Sequence, residues 1–335
     1  MAEKVLEVIG LNKRFYQKKK MFQDPIPPVK AVTDVNLTVY KGETLSIVGE
    51  SGCGKTTLAR CIVKAIDSNE GEVYYHNRDG EKIDFLNGDK KTFKKHRKDI
   101  QMIFQDPFSS LDPRMTVFDI ISEPLKANFK LTKEEIEKKV SDIAAANGLN
   151  INYLRRYPHA FSGGQRQRIG IARALVTQPD IVVCDEAVSA LDVSIQAQII
   201  NLLKDLQEDL GITYVFIAHD LSVVEHISDR VAVMYLGRII EIAKTDDLFF
   251  TPKHPYSEAL LSAVPKADPT EKMERIILEG EVPNPMNIPS GCHFHPRCSY
   301  ATDKCKKEVP ALVKIGDNGH ESACHYANEL NLKGV

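Results

Sequence analysis

The sequence runs to 335 residues with a formal net charge of −2 and 27% charged side chains. That length points to one large domain with a smaller appendage and a sizeable core, and the near-neutral balance excludes a chain-wide attraction to nucleic acid or to an anionic membrane. The opening MAEKVLEVIG lacks the basic region before an apolar run that a signal peptide needs, and no stretch approaches the about 18 apolar residues of a spanning helix, so a soluble, cytoplasmic chain is expected.

Leu6 to Phe15 alternates loosely between apolar and polar and predicts a first strand. KKKMFQDPIPP, Lys18 to Pro28, reads as a solvated basic loop, because Pro25, Pro27 and Pro28 exclude a strand interior. A second strand spans Ala31 to Val39, and a turn at Lys41 and Gly42 leads into TLSIV, Thr44 to Val48, a buried strand. Leu58 to Ile66 predicts an amphipathic helix. Between them stands GESGCGKTT, in which Gly49, Gly54, Lys55 and Thr56 fit G-x-x-x-x-G-K-[ST]. The glycines let the backbone wrap a polyphosphate, and successive N–H groups with the positive end of the following helix supply an anion site. Lys55 would reach the outer phosphates and the Thr56 hydroxyl would hold magnesium. Phe15 or Tyr16 could stack on an adenine ring or pack in the core.

Further on, Gly71 to Phe85 reads as a pair of short strands, and Lys90 to Lys98, KKTFKKHRK, is a basic run that is either a solvated face or a nucleic-acid patch. Ile100 to Phe104 predicts another buried strand, which gives out at Gln105 before the loop DPFSSLDPR. In an open α/β sheet that edge is where ligands bind. Thr116 to Leu149 is helical in character and reads as an inserted helical subdomain. Its best helix runs from Thr132 to Asn147, with Thr132 as cap, Glu134 and Glu135 in the first turn and Gly148 as stop.

FSGGQRQRIGIARAL, Phe161 to Leu175, offers at Ser162, Gly163 and Gly164 a second phosphate-seeking helix start, which suggests a composite site across a dimer. Ile181 to Cys184 is a short apolar run of the kind buried in a parallel sheet, with Asp185 and Glu186 emerging at its carboxyl end. Asp185 suits a magnesium-directed carboxylate and Glu186 a base that polarises the attacking water; the plainer alternative is a helix N-cap. A further run, TYVFIA from Thr213 to Ala218, ends in His219, either a structural histidine or one placed to meet a terminal phosphate.

Of seven cysteines, Cys53, Cys61 and Cys184 are scattered, whereas Cys292, Cys298, Cys305 and Cys324 crowd the end of the chain. In a cytosolic chain this clustering indicates a metal site more than a disulfide framework. Zinc is one candidate, with His293, His295, His320 or His325 as further ligands, although zinc sites use a tighter first pair. Four thiolates also suit a 4Fe-4S cluster, although the spacing C-x5-C-x6-C-x18-C matches neither ferredoxin pattern. Unmetallated thiols are the third reading. A small proline-rich tail has little core, so a metal would explain how it folds.

GESGCGKT, Gln105, FSGGQ, VVCDE followed by SALD, and FIAHD stand in order along the chain. Together they resemble the ATPase subunit of an ATP-binding cassette (ABC) transporter. YLGRIIEIAKTDDLFFTPKHPYSEALLSAVP, Tyr235 to Pro265, and the cysteine-bearing tail resemble the dipeptide and oligopeptide importer branch, in particular the second ATPase subunit of such a permease. The resemblance implies an α/β P-loop NTPase fold of the ABC type, with an antiparallel β subdomain, a helical subdomain at about 106–176, and a small metal-binding extension. The ATPase domain would span 1–245 and the extension 246–335.

Residue by residue, the resemblance makes Phe15 the adenine-stacking aromatic and Gly49, Glu50, Ser51, Gly52, Cys53, Gly54, Lys55, Thr56 and Thr57 the Walker A loop. Gln105 becomes the Q-loop glutamine, Ser162, Gly163, Gly164 and Gln165 the signature segment that meets the partner's ATP, Asp185 the Walker B aspartate, Glu186 the catalytic glutamate, Asp192 the D-loop aspartate and His219 the switch histidine. Magnesium would be met by Thr56, Gln105 and Asp185. Two departures stand out: Phe161 replaces the leucine of LSGGQ, and Ala187 stands where the family usually has proline. The tails this one resembles favour the 4Fe-4S reading. Implied partners are a second ATPase subunit, expected to make a heterodimer, two transmembrane permease subunits and an extracytoplasmic peptide-binding protein, with no nucleic acid. The chain would lie peripherally on the cytoplasmic face of the bacterial inner membrane. The rival reading is a soluble ABC-class ATPase acting on nucleic acid or ribosomes, supported only by the basic run. Nucleotide binding is expected to be independent of the tail.

Overall fold

The structure, a computed structural model, describes residues 3–16, 26–264 and 275–335. Most of the basic loop, residues 18–25, and Pro265 lie outside the described residues. The strands are β1 (Lys4–Phe15), β2 (Val29–Tyr40), β3 (Thr44–Val48), β4 (Glu70–His76), β5 (Lys82–Asp84), β6 (Ile100–Ile103), β7 (Ile181–Asp185), β8 (Thr213–Ile217), β9 (Arg230–Tyr235), β10 (Arg238–Lys244), β11 (Val313–Ile315) and β12 (His320–Ser322). The α-helices are α1 (Lys55–Ile62), α2 (Lys90–His96), α3 (Val117–Asn128), α4 (Lys133–Ala146), α5 (Gly163–Leu175), α6 (Val193–Leu210), α7 (Leu221–Ile227), α8 (Thr245–Phe250), α9 (Pro255–Leu261) and α10 (Asp303–Lys307). Two compact units emerge, one of residues 1–6, 38–43 and 74–217, the other of residues 7–37, 44–73 and 218–335.

In the first unit β7 pairs in parallel with β6 on one side and β8 on the other, in a register that sets Cys184 against Ile103 and Asp185 against Ile217. Every residue of β7 and β8 is buried, as a strand covered on both faces requires, which is why each reads as an unbroken apolar run. The predicted helical region is α3 and α4, which pack with α5 around Ile121, Leu125, Val140, Ala144, Ile169 and Ala172. α4 starts where expected: Thr132 and Glu135 form a reciprocal capping box, and Gly148 at φ 68° lies beyond its end. The basic run is mostly α2, capped by Asp89, with Phe93 against Phe85 at 5.2 Å and His96 buried beside Asp99. It is thus a helix with one face packed and one in solvent.

The second unit holds β3, fully buried and parallel to β9, then β10, β12 and β11 in antiparallel succession. The sequence β10–β12–β11 brings the cysteine-bearing end of the chain into this sheet. A buried Glu241 on β10 accepts from His320 Nε2 of β12 at 2.6 Å and from the Lys253 amide at 2.5 Å, fixing that junction. α1 begins inside the glycine loop and stops at Ile62, earlier than the apolar pattern predicts, because the chain turns at Val63 and passes through Lys64 at φ 54°.

Candidate functional site

The predicted residues fall in both units. In the second unit β3 delivers Gly49 at φ 152°, where an added Cβ would stand 2.2 Å from the Met234 carbonyl oxygen. Gly54, at φ 110°, would place its Cβ 2.0 Å from the Ala31 carbonyl oxygen. Only glycine passes at either point. Gly54 caps α1 without a side-chain hydrogen bond, at the helix end where an anion is favoured. Lys55 is 5% exposed, and its ammonium donates to the Gly49 carbonyl at 2.7 Å and the Glu50 carbonyl at 3.1 Å, placing the charge at the centre of the loop.

Thr56 is half-buried in the first turn. His219 is exposed, and the preceding Ala218 donates to the Ile47 carbonyl of β3 at 3.3 Å. Phe15 and Tyr16 are 43% and 66% exposed, which removes the core-packing alternative for both.

In the first unit Gln105 Nε2 donates to Glu186 Oε2 at 2.6 Å. Glu186 adopts φ 47°; its amide donates to the Ile217 carbonyl at 3.1 Å, and its carbonyl accepts from the Ser189 amide and hydroxyl. A bulky residue in the left-handed region marks a constrained turn. Asp185 is 1% exposed as the last residue of β7. The N-cap alternative for these two acids fails, since the next helix, α6, is capped by Asp192, whose carboxylate accepts from the Ile195 amide at 3.0 Å.

At the start of α5, Ser162 Oγ accepts from the Gln165 amide and Gln165 Oε1 accepts from the Ser162 amide. A Cβ on Gly164 would stand 2.7 Å from Ile195 Cγ2, so the bare backbone lets the starts of α5 and α6 meet. Ser162, Gln165 and Asp192 are all exposed there. In the first unit Gln105 and Asp185 each carry a side-chain oxygen, and in the second Thr56 carries a hydroxyl, the hard donor type that suits magnesium.

Sequence reasoning missed what holds the loop from outside. The Glu50 amide donates to Tyr256 Oη at 2.9 Å, and the Glu50 carboxylate accepts from both terminal nitrogens of Arg297 at 2.8 and 3.0 Å. Arg297 belongs to the cysteine-bearing tail, so the tail touches the loop directly. No local pattern marks this arginine, and only the fold brings it to Glu50.

In the tail, Cys292, Cys298, Cys305 and Cys324 line one cavity of about 20 Å³, together with His295 and His325. His320 is committed to Glu241 instead, and His293 is absent from that lining. Burial pushes the Cys298 thiol up to about 12 and the Cys324 thiol up to about 11, and raises Cys292 as well. Among the described residues no group of three or more His, Cys, Asp or Glu side chains is placed to hold a metal ion. The metal-binding character expected of the extension is therefore not shown by this geometry. What it shows is four thiols lining one small cavity.

Residues 32–189 match the family described as ABC transporter, and residues 240–305 match the family described as Oligopeptide/dipeptide transporter, C-terminal region. The dipeptide transport ATP-binding protein DppF of Haemophilus influenzae is 49% identical over 322 residues, covering 96% of this chain and 96% of the relative. The chain belongs to the ABC transporter family. The oligopeptide transport ATP-binding protein AppF of Bacillus subtilis is 48% identical over 325 residues, 96% of this chain and 97% of the relative. Among solved structures, the ABC ATPase fold recurs in a dimeric post-hydrolysis ATP-binding cassette bound to ADP and Pi, at 30% identity and a TM-score of 0.62, over 72% of this chain and 98% of that one. None of these relatives supports the nucleic-acid reading, and among the described residues no helix is long and apolar enough to cross a membrane.

Proposed function

We propose that this ABC-family chain is the ATP-hydrolysing subunit that powers import of dipeptides or oligopeptides, working with membrane-spanning permease subunits, a second ATPase subunit and an extracytoplasmic peptide-binding protein. One observation carries the reading: a cassette segment and a peptide-transporter C-terminal region occur in one chain that matches peptide-transport ATP-binding proteins over nearly its whole length. The ATPase domain would be 1–245 and the extension 246–335, held peripherally on the cytoplasmic face of the membrane.

In this reading Gly49 to Thr57 cradle the phosphates and Phe15 stacks on the adenine. Glu186, oriented by its turn and by Gln105, polarises the water that attacks the terminal phosphate. Lys55 and His219 meet the charge that develops on the transferred group. Magnesium, held by Thr56, Asp185 and Gln105, would neutralise phosphate charge. Ser162, Gly163, Gly164 and Gln165 would close on the nucleotide of the partner ATPase, with Asp192 beside them, and closure would exclude water.

The four-thiol cavity would hold a thiolate-bound group. A 4Fe-4S cluster is favoured over zinc because the cavity is lined by four thiols, whereas structural zinc uses a first pair closer in sequence than any here. Its role would be to hold the tail folded.

The test is to purify the complex from its native membrane, identify every associated chain, and measure ATP hydrolysis with and without peptide-loaded binding protein. Permease chains and peptide-stimulated hydrolysis are expected. Hydrolysis indifferent to peptide but stimulated by RNA would overturn the assignment. Iron at about four per chain in anaerobic preparations is expected, and one zinc without iron would replace the cluster reading.

A further inference from the structure

Glu50 is the second residue of the glycine loop, and two elements from the far end of the chain hold it. Tyr256 Oη accepts from its amide, and Arg297 grips its carboxylate through two parallel hydrogen bonds, Nη1 to Oε2 at 2.8 Å and Nη2 to Oε1 at 3.0 Å. The Arg297 side chain is 7% exposed and that of Glu50 28%. A fork-to-carboxylate pair fixes orientation as well as distance, which a lysine ammonium cannot do. The Tyr235 ring stands against Tyr256 at 4.6 Å and against Phe294 at 5.3 Å, and Tyr256 meets Phe294 at 5.4 Å, so the two anchors share one aromatic support.

The contact leads in both directions. On the loop side the Glu50 carbonyl accepts from the Lys55 ammonium at 3.1 Å, so the backbone that Arg297 holds also places the lysine. Arg297 further neutralises a carboxylate that would otherwise repel phosphate from the neighbouring amides. On the tail side Arg297 ends the single turn His295–Arg297, which starts from Cys292 through the His295 amide bond to the Cys292 carbonyl at 3.0 Å and runs into Cys298. Two of the four clustered thiols thus flank the segment that carries the guanidinium.

We propose that Arg297 is a positioning residue for the phosphate-binding loop, through which the cysteine-bearing extension sets how tightly the loop holds nucleotide. The proposal rests on the reading that residues 49–57 bind ATP. By linkage the effect is reciprocal: nucleotide on the loop steadies the tail, and a tail pulled out of shape weakens nucleotide binding.

The experiment titrates MgADP onto the full-length chain and onto Arg297→Met, Arg297→Lys, Glu50→Gln and the double variant Arg297→Met/Glu50→Gln, with Lys55→Ala as control. Arg297→Met and Arg297→Lys should each raise Kd about fivefold or more, the lower end of ordinary coupling between sites. In the Glu50→Gln background, Arg297→Met should change Kd by less than about twofold, because its partner is already gone. An unchanged Kd in Arg297→Met, or the same loss in both backgrounds, would overturn the proposal while Lys55→Ala still abolished binding. Binding that Lys55→Ala leaves intact would instead overturn the reading of the loop. Should Arg297→Met fail to fold, the wild-type chain supplies the answer by hydrogen exchange: MgADP should slow amide exchange across residues 292–298, and unchanged exchange there would contradict the coupling.

Discussion

The glycine loop and the Gln105–Glu186 pair, both assigned to ATP hydrolysis in the proposed function, are held in different ways. Glu186 is set by its own strand end: a left-handed turn, the Ile217 carbonyl on the adjacent strand, Ser189 just beyond, and Gln105 at the end of β6. The loop is shaped within by its glycines but steadied from without by Tyr256 and Arg297, the latter 247 positions away from Glu50. The Gln105–Glu186 pair is thus held by neighbouring strand ends and turns, whereas the loop is also held by residues from the far end of the chain.

The largest expected effect separates chemistry from binding. Glu186→Gln should lower turnover in the assembled complex by about 10²- to 10⁴-fold, the range for losing a positioned base, while MgADP affinity stays within a factor of two or so of wild type. Steady-state hydrolysis and equilibrium titration on the same preparation decide it. Gly54→Ala attacks the other region. Its Cβ would meet the Ala31 carbonyl at 2.0 Å, in a backbone conformation that alanine resists. Nucleotide binding should fall by about tenfold or more, and a normal Kd would show that the loop has more slack than its geometry allows.

Glu241→Ala tests the remote support. It removes the acceptor of both His320 and the Lys253 amide from a buried junction between β10 and β12. The expected loss is roughly 3 kcal/mol, as for breaking a buried pair, measured by denaturant unfolding of the full chain. A change under about 0.5 kcal/mol would mean that the tail sheet contributes little. Smallest of all, Lys94→Gln with Lys95→Gln alters only exposed side chains on α2, so stability should move within about ±0.5 kcal/mol and hydrolysis should be unchanged. Salt-sensitive RNA binding lost in that variant would revive the rival function.

The same contrast explains how much was legible in the sequence. β3, β7 and β8 were readable because strands buried on both faces are largely apolar, so the glycine, acid and histidine that follow, Gly49, Glu186 and His219, stand out at their ends. α4 was readable from its capping residues because Thr132 and Glu135 act within one turn. The bracing of the loop was not, since Arg297 and Glu50 meet only through tertiary packing, and a lone arginine beside a cysteine carries no period or spacing. The exposure of Phe15 and Tyr16 was equally hidden, because one alternating strand pattern serves a buried or a solvent-facing ring.

The most direct measurement is uptake of labelled dipeptides and oligopeptides by proteoliposomes that contain the complete complex, with MgATP inside the access of this subunit and the binding protein on the opposite face. Uptake should require MgATP, rise with the peptide-loaded binding protein, and disappear when Glu186→Gln is introduced together with the equivalent change in the partner ATPase. Undiminished uptake in that doubly altered complex, or ATP hydrolysis with no uptake of any peptide, would contradict the account.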